Sequence, residues 1–236
     1  LTTNGQLLAP MVDRLVENGL RRVNISIDSL KPKTYKKITR LGSLNKVFQG
    51  ISTALKRGLN PVKLNVVLMK GINDDEIYDF LKLTIDNPIH VRFIEYMPID
   101  GHKNLWSTHY LPLQVVKEKA KSLGLHLNPE EGLISNETAE TWRIPGGKGT
   151  IGFIHPISNP FCASCTRLRL TADGKFKPCL YWQEEIMVRK FINNPLVLAK
   201  LIKQGLLLKR KNHMMSDDNT PLIKSKSVRS MAQIGG

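Results

Sequence analysis

The first hundred residues alternate between two apolar spacings, and this alternation restricts the fold more than any other feature of the chain. Leu8, Met11, Val12, Leu15 and Val16 recur at helical spacing, with Pro10 near the first turn and Gly19 just past the end. Val23, Ile25 and Ile27 then alternate with Asn24 and Ser26, which reads as a strand from Arg22 to Asp28. Val47, Ile51, Ala54 and Leu55 return to helical spacing and stop at Gly58. A strand follows from Val62 to Met69. Asn73, with Glu76 three residues later, reads as a capping box for a helix carrying Ile77, Phe80 and Leu81. The last strand of the series, His90 to Met97, ends at Pro98. The opening Leu1-Thr2-Thr3-Asn4-Gly5 reads as the end of a strand and its turn, so we expect a chain that starts inside a fold.

Strands separated by helices predict an α/β fold with a parallel sheet and right-handed crossovers, either open or part of a barrel. No G-x-G-x-x-G follows a strand, which disfavours a dinucleotide-binding half. Polar residues gather at the carboxyl ends of the strands: Thr2, Thr3 and Asn4; Ser26, Asp28 and Ser29; Lys70 and Asn73; Glu95 and Tyr96. Ligand sites of such folds lie at that edge. Lys63 and Arg92 stand inside apolar strands, where a charge needs a partner, a cavity or a solvent-facing strand start. Met97, at a strand end, reads by itself as core packing.

Composition changes after Pro98, and we place a boundary near residue 100, with residues 1–100 and 101–236 as the two parts. Gly101 to Tyr110 reads as a polar loop and Leu113 to Leu123 as a helix. Gly132 to Gly149 reads as a loop with a short strand around Trp142 to Ile144, and Ile151 to Ile157 as a strand. Helices are expected around Phe191 and Ile192 and from Leu196 to Leu208. Lys209-Arg210-Lys211 reads as a solvated helix end. The tail from Lys224 ends in Gly235-Gly236; glycines there are either plain disorder or fit to thread a narrow cleft.

All three cysteines fall in one stretch, F-C-A-S-C-T-R-L-R-L-T-A-D-G-K-F-K-P-C-L, residues 161–180. Cys162 and Cys165 share a tight turn. Leu168 and Leu170 alternate with Arg167 and Arg169, then Ala172-Asp173-Gly174 turns the chain back toward Cys179. Three thiols suit a metal centre better than a disulfide framework, which wants an even count. A structural zinc would need a histidine as fourth ligand. An iron–sulfur cluster on three cysteines leaves one iron open to a substrate. Arginines two apart on a strand point one way, and their planar forks suit phosphate. Spacing alone leaves both readings open.

The formal net charge of +15 favours anionic partners: nucleic acid, nucleotide phosphates or an acidic membrane surface. Aromatic residues are only 6%, without the basic-aromatic interleaving of single-strand binders. Lys117, Lys119 and Lys121 read as a solvated helix face. No run of about 18 apolar residues occurs, so no membrane span is expected. The cysteine usage suits a reducing compartment.

Several strings taken together carry a family resemblance: T-T-N-G, N-I-S-I-D-S, V-K-L-N-V-V-L-M-K-G-I-N-D-D-E, V-R-F-I-E-Y-M-P, F-C-A-S-C-T-R-L-R-L-T-A-D-G-K, P-C-L and the final I-G-G. In that order they resemble the later two-thirds of the MoaA family, the radical-SAM GTP 3',8-cyclases (lyases) of molybdenum cofactor biosynthesis. The resemblance implies the later strands of an incomplete (β/α)6 radical-SAM barrel followed by a C-terminal cluster-binding region. It implies that Cys162, Cys165 and Cys179 hold a second 4Fe-4S cluster whose open iron takes the purine of GTP. Arg167, Leu168 and Arg169 match its GTP-binding R-x-R, and Thr2 and Lys63 match further GTP positions. Ser26 and Met97 match positions that contact S-adenosyl-L-methionine. Gly235 and Gly236 match a tail that reaches into the active site. It further implies a homodimer, a functional link to the cyclic pyranopterin synthase of the same pathway, a location in cytoplasm or mitochondrial matrix, and no nucleic acid partner. The family's first cluster motif, C-x-x-x-C-x-x-C, has no counterpart here. That cluster is expected only in the full-length protein, and this chain alone is expected not to cleave S-adenosylmethionine. The competing expectation is a zinc-ribbon-like module on an α/β scaffold that binds RNA, its metal completed by His155 or His213.

Overall fold

The structure, a computed structural model, describes residues 1–99, 103–130, 139–210, 229 and 234. They form two compact units: Leu1–Tyr96 with Thr108–Pro156, and Met97–Ser107 with Ile157–Gly236. The described residues of 108–156 thus group with the sheet, whereas composition suggested a boundary near residue 100.

The first unit is built on seven strands: β1 (Thr2–Thr3), β2 (Val23–Ser26), β3 (Val62–Leu68), β4 (Ile89–Glu95), β5 (Asn128–Pro129), β6 (Glu140–Arg143) and β7 (Thr150–Ile154). Their order is β1-β2-β3-β4-β7-β6-β5, parallel from β1 to β7 and antiparallel over the last two pairs. The helices, in chain order, are α1 (Leu8–Glu17), α2 (Pro32–Thr39), α3 (Leu44–Lys56), α4 (Ile77–Asp86), α5 (Lys103–His109), which falls mostly in the second unit, and α6 (Gln114–Ser122). The expected strand–helix alternation is present, and β7 extends it by pairing in parallel with β4.

Strict alternation gives β3 and β4 two unlike faces. Val62, Leu64, Val66 and Leu68 of β3, and Ile89, Val91 and Phe93 of β4, are buried in the core. Helical residues such as Val12, Val47, Ile51, Phe80 and Leu81 join them in one cluster. Phe80 meets Phe93 edge-on at 6.0 Å, and Phe93 stacks on Phe153 at 6.3 Å. Each such pair adds roughly 1 kcal/mol beyond the area it buries.

Two helices lay outside the sequence reading. In α2 only Tyr35 is buried, so its apolar stripe is too thin to show a period, although Pro32 sits at the helix start where proline is tolerated. α5 occupies the stretch read as a polar loop.

The capping box is also absent. Asn73 makes no side-chain cap; its amide donates to the Asp28 and Val67 carbonyls at 2.6 and 2.9 Å and accepts from Met69 N at 2.8 Å. Glu76 is buried and faces the turn after β2. It accepts from Ser29 Oγ at 2.7 Å, Leu30 N at 2.6 Å and Lys31 N at 3.2 Å. Asn73 and Glu76 therefore tie the end of β2 to the end of β3 and fix the start of α2. A buried carboxylate is tolerated there because three donors replace its water.

The second unit has a three-stranded antiparallel sheet of β8 (Arg169–Leu170), β9 (Lys175–Lys177) and β10 (Ile186–Met187), and one long helix, α7 (Pro195–Leu207). A single 3-10 turn, Arg189–Phe191, stands where a helix around Phe191 and Ile192 was expected. Asn194 caps α7, its Oδ1 accepting from Val197 N at 3.1 Å.

Replacing Glu76 by Ala takes the acceptor from Leu30 N and leaves Ser29 Oγ and Lys31 N only their contacts with each other's residue. We expect a loss of about 3 kcal/mol, read as a lower urea midpoint, with Glu76→Gln losing less. An unchanged midpoint for Glu76→Ala would contradict this account of the β2–α2 junction.

Candidate functional site

The side of the sheet away from the helices is polar in ordered rows. Thr2, Asn24, Lys63, His90 and Thr150 are successive register partners across β1, β2, β3, β4 and β7. Asn24 Nδ2 donates to Thr2 Oγ1 at 3.4 Å, and His90 Nδ1 lies 2.6 Å from Thr150 Oγ1. The next row carries Ser26, Asn65, Arg92 and Gly152. Arg92 Nε donates to Asn65 Oδ1 at 2.9 Å. A Cβ on Gly152 would stand 2.9 Å from Arg92 Cγ, so glycine leaves room for the arginine stem. Lys63 and Arg92, with Leu1, Arg22, Asn24 and Pro61, line a cavity of about 330 Å³. Both strand charges therefore border a cavity, one of the settings the sequence allowed.

Thr2, Lys63 and Ser26 share this polar face. Thr2 and Ser26 are exposed and Lys63 is half-buried. Lys63 is the second residue of β3, nearer the amino end than the carboxyl-end rule suggested. Met97 follows β4 and is half-buried.

Asp28 continues the same side two residues beyond Ser26. Its Oδ1 accepts from Val67 N at 2.8 Å. Burial pushes its carboxyl up from 3.8 to about 6, and the Val67 hydrogen bond offsets only part of that. At the end of β4, Glu95 is buried and accepts from Tyr110 OH at 3.2 Å. His155 lies 3.8 Å from Glu95 and 3.8 Å from Glu140, and stacks on Phe153. The histidine named by the zinc expectation is thus set among carboxylates. Lys117, expected to be solvated, sits 4.0 Å over the Trp142 ring and 3.6 Å from Glu140.

In the second unit the predicted hairpin is present. Arg169 pairs with Lys177 and Leu170 with Phe176. Thr171 shapes the turn: its Oγ1 donates to Asp173 Oδ1 at 2.6 Å and accepts from Lys175 N at 3.0 Å. Gly174 has φ +81°, and a Cβ there would stand 2.5 Å from Arg189 Cβ, so only glycine fits. Cys162 opens a 3-10 turn, and Cys165 N closes it on Cys162 O at 3.2 Å. All three cysteines are half-buried and none is in a disulfide. Tyr181 N donates to Cys179 Sγ at 3.4 Å.

Arg167 precedes β8 and lies over the Phe161 ring at 5.6 Å. Arg169 is inside the strand. Burial holds the Arg169 guanidinium below its usual value, the like charge of Arg167 adds to this, and Cys179 and Cys165 oppose it. The two arginines and these two cysteines therefore share one electrostatic neighbourhood. Leu168, between the arginines, is turned toward α7 beside Gly205, whose added Cβ would lie 3.6 Å from Leu168 Cδ1.

Among the described residues, no three His, Cys, Asp or Glu side chains converge closely enough to hold one ion. Zinc needs such convergence, because each thiolate sits about 2.3 Å from the same metal. A cubane cluster binds each thiolate on a different iron and takes a wider triangle. An all-sulfur donor set, from a turn and the far end of a hairpin, is of the kind such a cluster takes. His213, Gly235 and Gly236 lie outside the described residues. Lys209 and Arg210, read as a solvated end, both fold back. Arg210 pairs with Glu184 at 2.6 Å and lies 3.9 Å over Trp182, while Lys209 reaches the cysteine segments. A single sequence holds no signal for either contact.

Residues 1–84 match the family model described as the Radical SAM superfamily, and residues 89–215 match the one described as Molybdenum Cofactor Synthesis C. Over its whole length the chain is 48% identical to the GTP 3',8-cyclase of Listeria monocytogenes, of which it spans 72%. It is 45% identical to those of Lactiplantibacillus plantarum and Moorella thermoacetica, spanning 71% and 72% of them. None of the helices of the described residues is long and apolar enough to cross a membrane.

The raised Asp28 carboxyl sets a pH dependence. Its folded value lies above its unfolded one, so the native state holds the proton more tightly and ionisation weakens it. The penalty is absent below about 3.8, grows toward about 6 and is complete above. It amounts to about 3 kcal/mol. Asp28→Asn keeps an acceptor for Val67 and removes the charge. We expect it to be more stable than the parent at pH 7 and to lose the slope between pH 4 and 6 in urea unfolding. A slope equal to the parent's would refute the assignment.

Proposed function

The chain belongs to the radical SAM superfamily and, within it, to the GTP 3',8-cyclases of molybdenum cofactor synthesis, and from that we propose that its residues hold GTP for cyclisation between ribose C3' and guanine C8. The observation that carries this reading is the Arg167-Leu168-Arg169 segment set between Cys165 and Cys179. Burial and the like charge of Arg167 both disfavour the Arg169 cation, and an anion bound beside the pair would offset this. A nucleotide phosphate is a fitting anion, since planar forks bind its oxygens in pairs.

In this proposal Cys162, Cys165 and Cys179 hold a 4Fe-4S cluster, and Arg167, Leu168 and Arg169 bind GTP, Leu168 through its backbone. Thr2, through its hydroxyl, and Lys63, through its ammonium, are further GTP positions on the same resemblance. Ser26 and Met97 contact S-adenosyl-L-methionine. When bound, the iron–sulfur groups and the sulfonium cofactor supply the one-electron chemistry. The chain's own share is placement: it neutralises the phosphates and fixes the sugar, a proximity effect worth several kcal/mol. The Gly235-Gly236 tail, a homodimer, delivery of product to the cyclic pyranopterin synthase and a location in cytoplasm or mitochondrial matrix belong to the same proposal, on the resemblance alone.

Arg169→Ala, and separately Arg167→Ala, are expected to weaken GTP binding about 10- to 100-fold through lost charge-assisted hydrogen bonds. Iron bound per chain should stay unchanged. Calorimetric titration of GTP into air-free reconstituted protein checks this, and parental affinity in both variants would remove the arginines from the site.

A further inference from the structure

We infer that Lys209 is a positioning residue of the cysteine centre, its ammonium group joining the two segments that carry the cysteines and donating to one of the sulfurs. The inference rests on the reading that these cysteines hold a cluster. Lys209 follows α7, and its Nζ makes three contacts. It donates to Cys165 Sγ at 3.4 Å, to Arg167 O at 2.8 Å and to Pro178 O at 3.0 Å. Arg167 lies two residues after Cys165, and Pro178 immediately precedes Cys179. One cation thus spans the turn bearing Cys162 and Cys165 and the hairpin end bearing Cys179. An ammonium has three protons, and each has an acceptor here.

The anchor for this lysine is built. Arg210, the next residue, is held by Glu184 at 2.6 Å and by the Trp182 ring at 3.9 Å. At Gly205, α7 packs against Leu168 and Ile186. Lys209 therefore emerges at a defined place rather than from a loose helix end. A donor and a positive charge at a cluster sulfur favour the more electron-rich, reduced form. Outer-shell donors of this kind also hold metal ligands in their binding geometry.

The test uses the whole chain, reconstituted air-free with iron and sulfide, as parent, Lys209→Met, Lys209→Gln and Lys209→Arg. Two quantities are read: the rate of iron loss to a chelator, and the midpoint potential in a dye-mediated titration. Lys209→Met should lose iron about 10- to 100-fold faster, and its potential should move to more negative values. Lys209→Arg keeps the charge and should stay nearer the parent in potential. A purely scaffolding lysine would speed iron loss without moving the potential. If Lys209→Met folds poorly by circular dichroism, the potential of Lys209→Gln decides. Parental release and potential in the neutral variants would overturn the role of Lys209 and leave the cluster reading standing. A parent chain that takes up no iron would overturn the cluster reading and this inference with it.

Discussion

The register of the parallel ladder is the constraint on which the first unit depends. Lys63 sits opposite His90 and Asn65 opposite Arg92, while Leu64 and Val66 sit opposite Val91 and Phe93. A slip by one residue would turn every apolar side chain of a strand away from the helices and drive lysine, histidine and arginine into the core. Burying even one unpaired charge costs several kcal/mol. The same pattern that builds the core therefore fixes the polar rows. Thr2, Asn24, Lys63, His90 and Thr150 form a line because the hydrophobic side of the sheet cannot be placed otherwise.

The ends of the strands need separate support, because a parallel ladder stops abruptly where the chain leaves it. Asn73 and Glu76 provide this support. Asn73 satisfies the carbonyls of Asp28 and Val67, and Glu76 satisfies the donors of Leu30 and Lys31. Both residues are buried, and their contacts with Asp28, Leu30 and Lys31 reach more than forty positions along the chain. This explains why the N-x-x-E spacing misleads. Local sequence marks a helix start, yet tertiary partners claim both side chains before the cap can form.

What was legible in the sequence follows the same division. Period-two runs such as Val62 to Leu68 and period-3.6 runs such as Leu44 to Lys56 stand out because each buries a continuous apolar side. The hairpin between Arg169 and Lys177 was legible from Asp173-Gly174, whose backbone needs are local. α2 was not, since it contributes one buried aromatic and no stripe. The candidate site was legible as residue types: three cysteines, paired arginines, a strand lysine. Its supports were not. Lys209 meets Cys165 from forty-four positions away, and Lys117 covers Trp142 and Phe153 while lying in a lysine-rich helix that reads as solvent-facing. Such contacts depend on how elements pack, and no spacing rule within one segment reports them.

The two units also differ in what holds them together. The first has one large apolar cluster. Among the described residues of the second, Leu170, Ile192, Leu196 and Leu207 are well exposed, and the buried apolar ones are Ile157, Tyr181, Trp182, Val188 and Ile234. Polar clamps do much of the remaining work. Arg229 grips Glu185 at 2.5 and 2.9 Å and Asp173 at 2.7 Å. Lys177 is fully buried, donates to the Trp182 carbonyl, and has its ammonium made less basic by burial. Any group bound by these cysteines would add its binding free energy directly to folding. Arrangements of this kind couple assembly of a centre to ordering of the chain around it. Within the unit, Lys209 joins the Cys165 turn to the Pro178 end of the hairpin, so the segments bearing the cysteines are tied by the chain's own polar contacts.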